Sequence, residues 1–160
     1  MSLGIEDGRI QDSAITASTI HNSAHAAHLG RLNRVSGSGK AGAWCAKTSN
    51  NKEWLQIDLG NPTTVTKVAT QGRQDSNHWP TSYSISYSLT GSYWVHYTVR
   101  GKIKVITPCS LHRHHLKDLW SRKMEIMWNF NWMATETISQ IAGDLSIAGF
   151  QCHAIQNRSK

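Results

Sequence analysis

Between residues 55 and 106, apolar and polar positions alternate with a period of two, and turn-forming residues repeatedly interrupt the alternation. Leu55-Gln56-Ile57-Asp58-Leu59 sets three apolar side chains on one face and stops at Gly60-Asn61-Pro62. Residues 65–70 are rich in β-branched side chains and stop at Gln71-Gly72. Tyr83, Ile85 and Tyr87 share one face of the next segment, which Thr90-Gly91-Ser92 ends. Residues 94–99 and 103–106 are separated by Arg100-Gly101-Lys102, a hairpin-like break. Successive side chains of a pleated strand point to opposite faces, so this pattern predicts short, half-buried strands. Strands at this spacing predict an antiparallel sandwich or barrel. Its expected core is Trp54, Leu55, Ile57, Leu59, Val68, Ile85 and Tyr87, with Trp44 also read as core. Asp58 lies within a strand, and its carboxylate is expected to bond loop backbone rather than a metal.

The flanks follow other rules. Residues 12–18 form a short apolar segment, and 19–43 read as long loops, most flexible at Ser36-Gly37-Ser38-Gly39. Long loops on a rigid sandwich commonly carry binding function. Residues 107–160 hold only two of the twelve glycines but three of the seven tryptophans. There Ile126, Trp128, Phe130 and Trp132 alternate with other residues as in a strand, whereas Ile138, Ile141, Ala142 and Leu145 recur at helical spacing.

Composition narrows the function. Charged residues make up 17 % of the chain, and Ser, Thr, Asn, Gln and Gly fill the place of the missing charges, as in turn-rich all-β extracellular modules. The net charge of +7 is spread along the chain rather than gathered into a stripe, which argues against a nucleic-acid partner. It leaves a mild attraction to acidic glycans or anionic lipid. No apolar run approaches the roughly 20 residues needed to cross a bilayer. Met1 to Asp7 carry no signal-peptide pattern, so the chain alone is expected to stay in the cytosol. Three cysteines, Cys45, Cys109 and Cys152, leave at least one without an intramolecular partner. No nucleophile elbow and no phosphate-binding glycine loop is present, so no catalysis and no cofactor is expected.

Six ordered blocks carry a family resemblance: Leu3-Gly4-Ile5-Glu6-Asp7-Gly8-Arg9-Ile10 with Asp12-Ser13-Ala14-Ile15-Thr16-Ala17-Ser18; Arg31-Leu32-Asn33; Ala43-Trp44-Cys45-Ala46; Glu53-Trp54-Leu55-Gln56-Ile57-Asp58-Leu59-Gly60; Val65-Thr66-Lys67-Val68-Ala69-Thr70-Gln71-Gly72-Arg73; and Thr81-Ser82-Tyr83. Over residues 3–106 the chain resembles the discoidin, or coagulation factor V/VIII type C (F5/8 type C), domain family. The resemblance implies an all-β, antiparallel jelly-roll-like β-sandwich of the galactose-binding type, with spike loops at one end forming the ligand site. It implies a non-catalytic, lectin-like recognition or cell-adhesion module, extracellular or at the cell surface, and a truncated start reconciles this with the missing signal peptide. Its partners would be a glycan or a cell-surface or extracellular-matrix protein, with anionic phospholipid headgroups as the alternative. The family's later blocks and its first cysteine, expected just before Leu3, are missing, which would exclude a disulfide joining the domain ends. Residues 1–106 are therefore taken as the recognisable domain and 107–160 as an atypical segment, either diverged closing strands or a foreign tail. The helical spacing and the missing blocks favour the foreign tail.

Arg73 is the first ligand-binding candidate, because it leaves a strand at Gln71-Gly72 and its planar guanidinium suits sugar hydroxyls, carboxylates or phosphate. The resemblance puts this position at the spike end. A structural salt bridge between loops is the other reading of Arg73. If it binds ligand, Arg73→Ala should abolish binding with the melting temperature nearly unchanged. Asn33, His78, Trp79 and His21 are the further candidates, Trp79 by stacking on a sugar face although Pro80 suggests a packed turn. His21, His25 and His28 recur at i, i+4 and i+7, but no carboxylate or thiol stands nearby in sequence and no metal site is assigned. Residues 19–43 offer only Ile20, Leu29, Leu32 and Val35 as bulky apolar groups, too few for deep lipid insertion.

Overall fold

The computed structural model describes residues 3–107 apart from 74 and 77, and the strands His114–Asn129 and Leu145–Gln151 as backbone. It is an all-β sandwich. The strands are β1 (Ile15–Ala17), β2 (Trp44–Ala46), β3 (Trp54–Gln71), β4 (Ser82–Ser88), β5 (Val95–His96), β6 (Thr98–Val99), β7 (Lys102–Ile103), β8 (Val105–Ile106), β9 (His114–Asn129) and β10 (Leu145–Gln151). The larger sheet runs β2-β10-β3-β9-β4-β5, with β1 also on β3 and β8 also on β4.

β3 organises the molecule. Its first turns pair antiparallel with β1 and β9, and its last residues pair with β9 on one side and, in parallel, with β10 on the other. The β3–β9 ladder breaks between Asp58 and Thr63, where the Gly60-Asn61-Pro62 stretch bulges. Gly60 adopts φ +77°, a conformation costly for other residues, and its N–H donates to Asp58 Oδ1 at 2.9 Å. The expected Asp58–backbone bond is therefore present, and it shapes the bulge.

The core lies under β1, β3 and β4. Ile5, Ile15, Trp44, Leu55, Ile57, Val68, Tyr83 and Ile85 pack as one cluster. Leu55, Ile57, Val68 and Ile85 are buried as expected. Trp54, Leu59 and Tyr87 are only half-buried. Trp54 shares the pleat parity of Gln56 and Asp58, opposite to Leu55 and Ile57, so the same alternation that buries Leu55 turns the indole outward. Trp44, at 1 % exposure, is the large core indole.

Two polar clasps hold the N-terminal loops onto this core. Buried Arg31 donates to the carbonyls of Ile5 and Ile10 and to Asp12. Glu53 accepts from the hydroxyls of Ser18, Thr19 and Thr48. Burial would raise the Glu53 pKa, but these hydroxyl donors outweigh it and hold the carboxyl below the usual range.

The expected Arg100–Lys102 break is a two-residue turn joining β6 and β7, with Arg100 at φ +53° and Gly101 at +74°. Within residues 107–160, two strands are described, and both lie in the larger sheet. β9 sits between β3 and β4, pairing with both, and β10 sits between β2 and β3. The first part of the strand expected at 126–132 belongs to β9, His114–Asn129, and residues 130–132 lie outside the described residues. Of the helical spacing at 138–145, residues 138–144 fall outside the described residues, and Leu145 begins β10. Cys45 is disulfide-bonded, and both other cysteines of the chain, either of which could be its partner, lie outside the described residues.

Candidate ligand-recognition loops

Residues 19–43 leave β1, make two short 3₁₀ turns (Ser23–His25 and Ala27–Gly30), and return to β2. Asn22 starts the first turn: its side-chain oxygen accepts from the N–H of Ala24 at 2.9 Å, which satisfies a donor that such a turn leaves open. Leu29 and Leu32 are buried at 0 % and 3 %, anchoring the loop, while Ile20 and Val35 point to solvent. The second loop, residues 72–81, leaves β3 and enters β4, and the Arg73 N–H donates to the His78 carbonyl at 2.9 Å.

The guanidinium of Arg73 joins the two loops. Its Nε and Nη2 donate to the two carboxylate oxygens of Asp75 at 2.7 and 2.8 Å, a forked pair. Its Nη1 lies 3.2 Å from Nε2 of His25. The Arg73 side chain is 15 % exposed. The neighbouring guanidinium, helped by the Gly42 backbone, pulls the Asp75 carboxyl down to about 2, and Asp75 in turn raises the Arg73 pKa. Arg73 therefore makes the loop-tying contacts that its structural reading expects. Its contacts do change one expectation. Arg73→Ala would strip partners from Asp75 and His25, so stability should fall along with any binding.

His25 completes the junction. Arg73 has no acceptor, so the 3.2 Å contact requires a lone pair on His25 Nε2. The proton therefore sits on Nδ1, which donates to Asn22 Oδ1 at 2.7 Å. Partial burial, then the charges of Arg73 and His21, push the His25 pKa down, with Asp75 opposing. The His21 ring meets the His25 ring edge-on, 5.4 Å between centroids, and the His21 N–H donates to the Cys45 carbonyl. The half-buried Trp79 packs on Ala43 and Cys45, so one indole face is committed to the scaffold.

Four of the five candidates thus share a neighbourhood: Arg73, His78, Trp79 and His21. Asn33 stands at its edge in a left-handed conformation (φ +55°), its N–H donating to Gln71 Oε1 at 2.8 Å and its amide to Glu6. His25 and Asp75, central to the geometry, were not among the candidates. The i, i+4 spacing of His21 and His25 was the available signal, but it pointed toward zinc. In the structure His21 and His25 keep an edge-on ring contact, but His25 turns its Nε2 to Arg73 and His28 lies toward Asp12, 3.9 Å away.

Comparison with known proteins places the chain. The model of the F5/8 type C domain family matches residues 14–122, past residue 106 and into β9. Rat (Rattus norvegicus) lactadherin is 34 % identical over 125 residues, covering 75 % of this chain and 29 % of that protein. Mouse (Mus musculus) coagulation factor V is 39 % identical over 124 residues, covering 74 % of this chain and 6 % of that protein. The chain thus spans under a third of either relative. Discoidin II from Dictyostelium discoideum shares the fold at TM-score 0.59 and 20 % identity, over 72 % of this chain and 48 % of that one. A Clostridium perfringens module solved in complex with GalNAc-β-1,3-galactose aligns at TM-score 0.53 and 11 % identity, over 86 % of this chain and 94 % of its own. A sequence match over most of the chain and a shared sandwich lead to one conclusion: this chain belongs to the F5/8 type C domain family.

Proposed function

We propose that the chain is a non-catalytic, lectin-like recognition module that binds glycan, free or on a cell-surface or extracellular-matrix protein, through residues 19–43 and 72–81. The observation that carries this is the loop junction. Arg73 draws two loops together, which carry the exposed His21 and the half-exposed His78 and Trp79, with the exposed Asn33 further along, bonded to Gln71. Imidazole and amide donors beside an indole edge suit the hydroxyl-rich, partly apolar faces of sugars. Structural relatives solved with a sugar, such as the GalNAc-β-1,3-galactose complex, support the same ligand class. Ile20 and Val35 are the large apolar side chains these loops expose among the described residues, at 41 % and 67 %, which gives little purchase on a lipid interior. The disulfide at Cys45 fits an oxidising, extracellular setting.

The test is a glycan array run beside anionic phospholipid vesicles at low and high salt. Glycan binding that a free monosaccharide competes away and salt leaves intact supports the proposal. Binding to vesicles alone, lost as salt shortens the Debye length, overturns it in favour of anionic headgroups.

A further inference from the structure

The junction between the loops is built around a group that must be uncharged. Arg73 offers only N–H donors, and Asp75 fixes its orientation from the far side with two hydrogen bonds. His25 meets it with a bare ring nitrogen and uses its one ring proton on Asn22. Asn22 in turn receives the N–H of Ala24 on its side chain and that of His25 on its carbonyl. The Ala24 carbonyl accepts from Ala41 and the Ser23 carbonyl from Lys40 Nζ at 3.1 Å, so the same turn also anchors the far arm of the loop.

We propose that His25 is a proton-operated latch between the two recognition loops, closed when its imidazole is neutral and released when the ring takes up a proton on Nε2. This deepens the ligand-binding reading above, whose loops it would regulate. On protonation, an N–H on Nε2 faces the N–H of Arg73 Nη1, so an acceptor contact becomes donor against donor and cation against cation. The other groups that face His25 add to the effect. His21 from its own loop and His78 from the other loop both face His25 and disfavour a charge on it. Among the described residues, Asp75 is the carboxylate that faces it, and both its oxygens already accept from Arg73. Arg73 is held by Asp75 and by its own N–H to His78, so the imidazole is the side that swings away, taking the Asn22–His25 turn with it.

The sign follows from the closed latch. His25 binds its proton less readily in the closed junction than in an opened loop, where its pKa is near 6.5. The latch is therefore fully closed above that value and weakens as pH falls through it toward the lower, closed-state pKa. Opening should rise about tenfold for each unit that separates the two pKa values.

The test is amide hydrogen exchange of Ala24 and His25 at about pH 7.5 and about pH 5.5, corrected for intrinsic rates, with nitrogen NMR of the His25 ring. The comparison variant is His25→Gln, whose amide oxygen can accept from Arg73 at either pH. The wild-type protein should show a neutral ring protonated on Nδ1 at the higher pH and lose protection at the lower one, and the variant should not lose it. An Nε2-protonated ring at the higher pH, constant protection in the wild type, or an equal loss in both proteins would overturn the latch. His21→Gln and His78→Gln should retain the acid-triggered loss, and its disappearance in either would move the switch to that residue and refute the assignment to His25. Binding to immobilised GalNAc-β-1,3-galactose is measured in parallel. If that sugar is not bound at either pH, the glycan reading loses support while the exchange data still decide the latch.

Discussion

At the scale of single residues, the pairing of Arg73 with Asp75 gives the clearest energetic prediction. The unfolded Asp75 carboxyl titrates near 3.8 and the folded one near 2, so its contribution is present above 3.8 and is lost as pH falls toward 2. Asp75→Asn should flatten stability against pH in that window. It should also cost about 1 kcal/mol at neutral pH, after allowance for solvent screening of a partly exposed pair, readable by urea unfolding. Arg73→Ala should lower stability by about 1–2 kcal/mol, because it removes a partner from both Asp75 and His25. A melting temperature equal to wild type would show that the forked pair adds nothing. Arg73 was legible in the sequence as a cation at the mouth of a loop. Its partners were not, because a contact between residues 25 and 73 leaves no periodic trace, and two histidines four apart resemble a metal pair more than an acceptor for arginine.

At the scale of elements, strand alternation located β3 and β4 well, although Trp54, Leu59 and Tyr87, read as core, are half-buried, and Trp54 lies on the opposite parity to the core residues. Parity around Leu55 and Ile57 places Trp54 outward, and its aromatic bulk led the sequence reading to count it as core. The two tryptophans should therefore behave differently. Trp44→Ala should cost about 3–5 kcal/mol, as large core truncations do, whereas Trp54→Ala should cost less than half of that. Equal losses in chemical denaturation would contradict the assigned parity. The Arg31 clasp belongs to the same scale, since one guanidinium fastens the loop between Ile5 and Asp12 to the sandwich. Arg31→Met removes donors from two carbonyls and from Asp12, and should destabilise by about 3 kcal/mol, visible as a lowered Tm. Arg31→Lys should recover only part of the loss, because a single ammonium cannot span the three acceptors.

At the scale of the whole molecule, β9 and β10 pair with strands far from them in sequence. Residues 107–160 carry alternation at 126–132 and helical spacing further on, so propensity alone split the segment. Pairing with distant strands decided its backbone, and that is tertiary information. A chain cut after residue 106 loses both β9 and β10 and leaves the edges of β3 and β4 unpaired. It should show no cooperative unfolding transition, whereas the full chain should show one; a sharp transition in the fragment would establish 1–106 as autonomous. Replacing Cys45 with serine should cost the full chain about 2–4 kcal/mol under oxidising conditions and little under reducing ones. The place of β9 also bears on biosynthesis. During translation β3 and β4 leave the ribosome before the strand that belongs between them, and β10, which pairs with Cys45 from about a hundred residues away, comes later still. For that interval the nascent chain presents two sticky edges with a gap of one strand. Its folding yield should therefore depend on chaperones that shield open β edges, and on how quickly the ribosome delivers residues 114–151.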